Sequence, residues 1–356
     1  MMAWACCIAA CDLPERAATL FNPQRAGTLG APHAAPVPPA HAVLTLLPGD
    51  LPPGTQQLRL GITPYDAPDA LRLQFQALAA HLTKTLGIPV VLHVAPTYAA
   101  MLDEVSEGRV DLALLSPLSY VLARRRAPGL ELLARTLSFG ATDYASFIVV
   151  RADSPATRLG DLRGRRVAGV DALSTAGFLF PFASFLDHGV DPDRDLKLEF
   201  AGTHAAALAA VVNGKADAAA ISSGTIASGQ DLSRVDLGEV RILYKAGRIP
   251  YDAVCARPGL PASGTHKIAW AFQGVDTRTR HGREVLARAP GLTGWIQGQD
   301  AAYDGVRRVL ERYEAHRGTA LAPPDVVAQP PPSAATPVAV PAPASPSAGG
   351  ADAGSP

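Results

Sequence analysis

Three short stretches of this 356-residue chain set hydroxyl, phenol or imidazole groups beside helix starts. In the first, the apolar run Val167–Val170 leads through Asp171-Ala172-Leu173-Ser174-Thr175-Ala176-Gly177 into a helical pattern over 178–187. Ser174 and Thr175 offer two hydroxyls, and the small Ala176 and Gly177 leave their backbone N–H groups approachable. A helix N-terminus carries unpaired N–H groups and a partial positive charge, so this stretch suits a tetrahedral oxyanion. The same residues also suit an ordinary N-cap with one hydroxyl used locally, and spacing alone does not separate the two readings.

The other two stretches are copies of one pattern. Residues 95–116 read APTYAAMLDEVSEGRVDLALLS and residues 201–222 read AGTHAAALAAVVNGKADAAAIS, identical at ten of 22 positions without a gap. The shared Thr, Gly, Asp and Ser are not products of alanine-rich composition. Each copy predicts a Thr-capped helix, a closing Gly, and a strand that ends in Ser. Tyr98 and His204 stand at the same place in the first helical turn, and Ser116 and Ser222 stand at equivalent strand ends. In open α/β sheets ligands bind beyond the carboxyl ends of strands, so two facing copies would bring Tyr98 and His204 to one cleft.

Chemistry other than binding finds little purchase. The chain has no HExxH, GxSxG or GxxxxGK[ST] motif. Its nine histidines show no ligand spacing, and Cys6, Cys7, Cys11 and Cys255 form neither a disulfide framework nor a thiolate zinc site in the folded part. No enzyme, metal or cofactor is expected.

The elements that must position these residues alternate. A strand at 58–62 precedes a helical pattern from Leu71 to Leu86 that Gly87 stops. A strand at 90–94, a helix at 98–107 and a strand at 110–115 follow. Strand–helix–strand alternation predicts parallel α/β sheets, and the duplication predicts two similar lobes. Lys+Arg and Asp+Glu are 32 each, so the formal charge is zero, which argues against nucleic acid as a partner.

The two ends differ from the middle. Residues 12–56 hold nine prolines and read as a tether; residues 319–356 hold ten and no Lys or Arg, and read as a disordered tail. The opening Met1–Cys11 ends in Ile8-Ala9-Ala10-Cys11 and resembles a bacterial lipobox on a truncated signal segment (1–11), with Cys11 as the lipidated residue. That resemblance implies a membrane-anchored lipoprotein facing the periplasm.

The folded middle, roughly 57–315, resembles the phosphate/phosphite/phosphonate family of periplasmic solute-binding proteins, the receptors of ABC importers. The stretches that carry the resemblance are LRLGITPYDAPD, TYAAMLDEVSEGRVDLALLSPLSYVLA, TDYASFIVVRADSPATRLGDLRGRRVAGVDALSTAGFLFP, FAGTHAAALAAVVNGKADAAAIS, IPYDAVCARPGLP and DAAYDGVRRVLERY. It implies a two-lobed α/β fold of the type II periplasmic-binding-protein (Venus flytrap) class. Lobe 1 would comprise 57–148 plus 250–318, and lobe 2 would comprise 149–249. It implies a monomer that binds a small oxyanion between closing lobes and delivers it to an inner-membrane ABC permease.

By the same resemblance the ligand residues are Tyr98, Tyr144, Ser174, Thr175, Ala176 and His204, with Ser116 as a weaker candidate. Relatives that hold an ammonium group use carboxylates. Asp252 corresponds to one of these, but Ser223-Gly224-Thr225-Ile226 lacks the second. The departure points to phosphite, methylphosphonate or a related small oxyanion rather than aminoethylphosphonate. The alternative is a sensory protein that presents an oxyanion, arsenic oxyanions included, to a kinase or chemoreceptor.

Overall fold

The computed structural model describes residues 44–227 and 237–321. Cys11, most of the expected tether and the tail beyond Leu321 lie outside the described residues.

Two mixed sheets form. Sheet 1 contains β1 (Leu58–Ile62), β2 (Val90–Val94), β3 (Leu112–Leu115), β4 (Glu131–Ser138), β10 (Ala253–Ala256) and β11 (Leu292–Gln297), in the order β11-β4-β10-β3-β1-β2. Sheet 2 contains β5 (Asp143–Arg151), β6 (Arg166–Gly169), β7 (Lys197–Phe200), β8 (Ala218–Ser222) and β9 (Val240–Pro250), in the order β7-β6-β8-β5-β9. The orders superimpose: β2-β1-β3-β10-β4 in one lobe corresponds to β7-β6-β8-β5-β9 in the other. The duplicated sequence thus occupies equivalent places, at β2–β3 and at β7–β8.

The local causes are plain. β3 is LALL with all four residues buried, as expected of a strand covered on both faces. Helix α1 (Pro68–Leu86) starts with Pro at its first position, and its buried Leu71, Phe75, Leu78, Leu82 and Leu86 recur on one face. It stops at Gly87, whose φ of 71° is left-handed. Helices α2 (Tyr98–Ser106) and α5 (His204–Val212) are capped by Thr97 and Thr203, whose hydroxyls accept the N–H groups of Ala100 and Ala206 at 3.0 and 3.1 Å. Helix α3 (Pro117–Arg126) starts at Ser116. A π-helical turn, Thr175–Leu179, leads into α4 (Phe180–Asp187).

Three sequence expectations need correction. Parallel pairing is confined to β1, β2 and β3 and to β6, β7 and β8; β10 lies between β3 and β4, and β5 between β8 and β9, each antiparallel to both neighbours. They do so because each enters its sheet from the other lobe, not through a crossover helix. The chain leaves sheet 1 between Ser138 and Asp143, so a crossing near 148 falls inside β5, all of whose partners are in sheet 2. The return lies between Pro250 and Ala253.

The third correction concerns the tether. Its last part, from Leu44 on, packs on lobe 1: Leu44, Leu46 and Leu51 join the core around α1 and α6 (Ala262–Gln273). Leu46 donates its N–H to the Leu86 carbonyl at 2.9 Å. Lys267 reaches Asp50 at 2.6 Å and the Thr45 carbonyl at 3.1 Å. A segment without periodicity can still bury isolated leucines on a surface that is already folded.

A second core cluster joins the lobes. It gathers Tyr98, Leu102 and Tyr120 of lobe 1 with Phe147, Phe178 and Phe182 of lobe 2, and Tyr303 and Tyr313 of the C-terminal segment. The last helix (Asp304–Arg317) holds both sides, through Glu314 to Arg125 at 2.8 Å and through Arg317 to Asp193 at 2.7 Å.

Candidate ligand-binding site

The carboxyl ends of β1, β2 and β3 face those of β6, β7 and β8 across a cavity of about 210 Å³. Tyr98, Tyr144, Ser116, Ser174, Thr175, His204 and Asp252 all line it. Ala176 does not: its carbonyl turns away to accept the Ser146 hydroxyl at 2.8 Å. Any part it plays must come through its backbone N–H in the first turn, which lacks an intrahelical acceptor.

The His204 imidazole has a defined role. Its Nδ1 accepts the backbone N–H of Ser222 at 3.1 Å, which leaves the proton of the neutral ring on Nε2 as a donor. Burial pulls its pKa down to about 4, so the ring is neutral at neutral pH. With its lone pair spent on Ser222, the neutral ring has none left to activate a hydroxyl. Such a ring can donate a hydrogen bond from Nε2 but cannot act as a general base.

The Ser174 hydroxyl caps the π turn by accepting the Gly177 N–H at 3.0 Å, and Ser174 lines the same cavity as Tyr98. Thr175 accepts the N–H of Leu118, in the first turn of α3, at 2.8 Å. The Ser174 hydroxyl thus caps its own helix start, the Thr175 hydroxyl reaches the other lobe, and both residues line the cleft. Burial, with the charges of Asp171 and Asp252 added, pushes the Tyr98 phenol well above its ordinary pKa. It remains a neutral donor. Ser116 is more committed. Its hydroxyl accepts from the Ser119 N–H at 3.4 Å and donates to the Ser119 hydroxyl at 2.9 Å.

Sequence reasoning missed several wall residues. Tyr65 follows β1, and its hydroxyl accepts from Gln74 Nε2 at 3.1 Å, so its own proton is available to another acceptor. Tyr251 sits beside Asp252 and packs its ring 5.0 Å from that of Tyr144. Thr136, Phe139 and Thr225 also line the wall. Tyr65 was within reach, because the rule that found Tyr98 points equally to the residues that follow β1.

The electrostatics are unusual for an anion site. No Lys or Arg lies among the lining residues, whereas Asp66 and Asp252 do. Burial raises the Asp252 carboxyl to about 7, and Tyr65, Tyr98, Tyr144 and Tyr251 all feel its charge. An anion here would be held by neutral O–H and N–H donors and helix N-termini, which reach it from both lobes.

Comparison with known proteins follows the same line. A family model described as "ABC transporter, phosphonate, periplasmic substrate-binding protein" matches residues 60–303. The phosphate-import protein PhnD of Mycolicibacterium smegmatis is 27% identical over 276 residues, which cover 72% of this chain and 85% of that protein. The phosphonates-binding periplasmic protein of Escherichia coli is 28% identical over 244 residues, 67% of this chain and 70% of that one. The solved structure of PhnD1 from Prochlorococcus marinus in complex with methylphosphonate superimposes with a TM-score of 0.65 at 20% identity, covering 73% of this chain and 98% of that one. The fold is therefore that of the two-lobed type II periplasmic binding proteins, and the chain belongs to the family of periplasmic substrate-binding proteins of phosphonate ABC transporters.

Proposed function

We propose that this protein captures a small phosphorus oxyanion (phosphite, an alkylphosphonate or phosphate) between its lobes and presents it to an ABC permease, without chemistry. The observation that carries the reading is the donor set. Tyr98 comes from lobe 1, and Ser174, Thr175 and His204 from lobe 2, all neutral and all on one cavity. Donors fixed on two rigid lobes reward closure around an anion, and they act more strongly once water is excluded. Tyr144, Asp252 and the backbone of Ala176 complete the proposed ligand set. Membership of the family supports a periplasmic location, and an anchor at Cys11 would hold the protein on the membrane near its permease. A sensory protein would use the same cleft, and loss of oxyanion uptake on deletion of the partner permease distinguishes the importer.

The test is a thermal-shift panel on ligand-free protein. Phosphite, methylphosphonate, aminoethylphosphonate, phosphate, arsenite, arsenate and sulfate would each be present at about 1 mM, where a ligand at 1,000 times its Kd adds about 4 kcal/mol of stability. A clear shift with a phosphorus oxyanion supports the reading. No shift with any of them overturns it.

A further inference from the structure

Two short crossings join the lobes, between Ser138 and Asp143 and between Pro250 and Ala253. A pair of crossings leaves the lobes free to turn about the line through them, as hinges do. A third attachment far from that line would fix the angle. The last helix is such an attachment. It starts at a crossing, where the Tyr303 hydroxyl donates to the Tyr251 carbonyl at 3.0 Å, and where the Tyr120 hydroxyl of lobe 1 donates to Asp300 at 2.6 Å. Its 14 residues then carry its far end about 20 Å from that start.

The far end lands on lobe 2. Arg312 pairs with Asp187 at the end of α4, Arg317 pairs with Asp193 at 2.7 Å, and His316 Nε2 stands 3.6 Å from Asp191. Three basic residues at one helix end thus meet three carboxyl groups of one lobe. Beneath them Tyr313 packs edge-on against Phe182 with ring centroids 4.8 Å apart. The Arg317 guanidinium lies 5.5 Å from the Tyr313 ring and 5.7 Å from the Phe182 ring, in reach of both π faces. Glu314, less than one turn back, holds Arg125 of lobe 1 at 2.8 Å. A single turn of the helix therefore grips both lobes.

Release of this end has one direction open to it. At the cleft Thr175 of lobe 2 already holds the Leu118 N–H of lobe 1 at 2.8 Å, so the lobes cannot draw closer there and can only swing apart. We infer that the last helix is a latch: Arg312, His316 and Arg317 dock on Asp187, Asp191 and Asp193 and hold the lobes at the binding-competent angle before any ligand arrives. The ion pairs are partly exposed, so each is weak alone and is screened by salt; the grip comes from several acting together at one helix end. A latched protein meets its ligand already competent, and its apparent affinity is not reduced by an open majority. This holds for any ligand of the cleft and does not rest on the oxyanion reading.

Hydrogen exchange at the Leu118 amide of the ligand-free full chain reads the opening, because the other lobe holds that amide. In Asp187→Lys/Asp193→Lys it should exchange about fivefold faster than in wild type, or more. The amides of β5, paired within sheet 2, should keep their rates. Adding Arg312→Glu and Arg317→Glu remakes the pairs with their signs exchanged and should bring slow exchange back. Wild type moved from about 0.1 to about 1 M NaCl, where the screening length falls from about 10 to about 3 Å, should show the same acceleration at Leu118. If Leu118 keeps its rate in the folded double variant or at high salt, or if β5 accelerates by the same factor, the charges only stabilise the fold and the inference falls. Should the double variant not fold, the salt series on wild type decides alone. The oxyanion panel has no bearing on this result, so the two readings can fail separately.

Discussion

Thr175 accepts the backbone N–H of Leu118 at 2.8 Å, and this bond ties the helix start of one lobe to that of the other. Both residues are buried. A residue picked out for its ligand chemistry is thus also a fastener between lobes. Thr175→Val keeps the shape but removes the acceptor, leaving a buried N–H unpaired. The expected loss is about 1–3 kcal/mol of stability in the ligand-free protein, read by chemical denaturation. An unchanged midpoint would show that water or another group satisfies Leu118.

The donor set predicts affinity. Ser174→Ala and His204→Ala should each weaken oxyanion binding by about 1–3 kcal/mol, the range for hydrogen bonds to charged groups. Calorimetry with the best ligand of the panel decides it, and two variants with wild-type affinity would refute the assignment.

Asp252 and His204 predict an unusual pH dependence. The Asp252 carboxyl, raised by burial from 3.8 to about 7, keeps its proton in the folded protein after the unfolded chain has lost its own. Its contribution is fully present below about pH 4 and is lost as pH rises towards 7. The His204 imidazole, lowered from 6.5 to about 4, works in the opposite sense, and stability is lost as pH falls from 6.5 to 4. The two oppose each other through the acid range. Asp252→Asn removes one of them, so its stability relative to wild type should climb from pH 4 to 7 and then level off. Denaturation midpoints of the two proteins that stay parallel from pH 4 to 8 would place an unseen partner on the carboxyl.

The strap of residues from Leu44 onward makes a separate prediction. The hydrogen bond from Lys267 holds the Asp50 carboxyl down to about 2, so the clamp is present above pH 4 and is lost as pH falls towards 2. Gly264 lies directly beneath it, and a Cβ there would overlap the Asp50 carbonyl oxygen. Gly264→Ala should lift the strap and cost about 1–3 kcal/mol, as overpacking does. Faster hydrogen exchange at the Leu46 amide, which bonds Leu86, is the measurement; exchange at the wild-type rate would contradict the account.

Much of the site was legible because its geometry is local. Thr97 and Thr203 sit one residue before Tyr98 and His204, so cap and candidate residue arrive together wherever the helix begins. Ser174 and Thr175 open a helix in the same way. The internal repeat then required two equivalent frames, and the matching strand orders show them. The type II resemblance supplied Tyr144 and Asp252, which no local pattern marks out.

The sequence by itself determined the strands and helices of the alternating units, their caps, and the equivalence of Tyr98 and His204, because each rests on contacts within a few residues. Only the tertiary structure decided what depends on partners far along the chain. It set β5 wholly in sheet 2, because its neighbours β8 and β9 are there. It packed the strap onto α1 and α6, since Leu44, Leu46 and Leu51 have no partners until those helices have folded. It brought Tyr251 and Phe139 to the cavity, since the direction of a side chain at a lobe crossing follows from strand order and turn type and not from neighbouring residues in the chain.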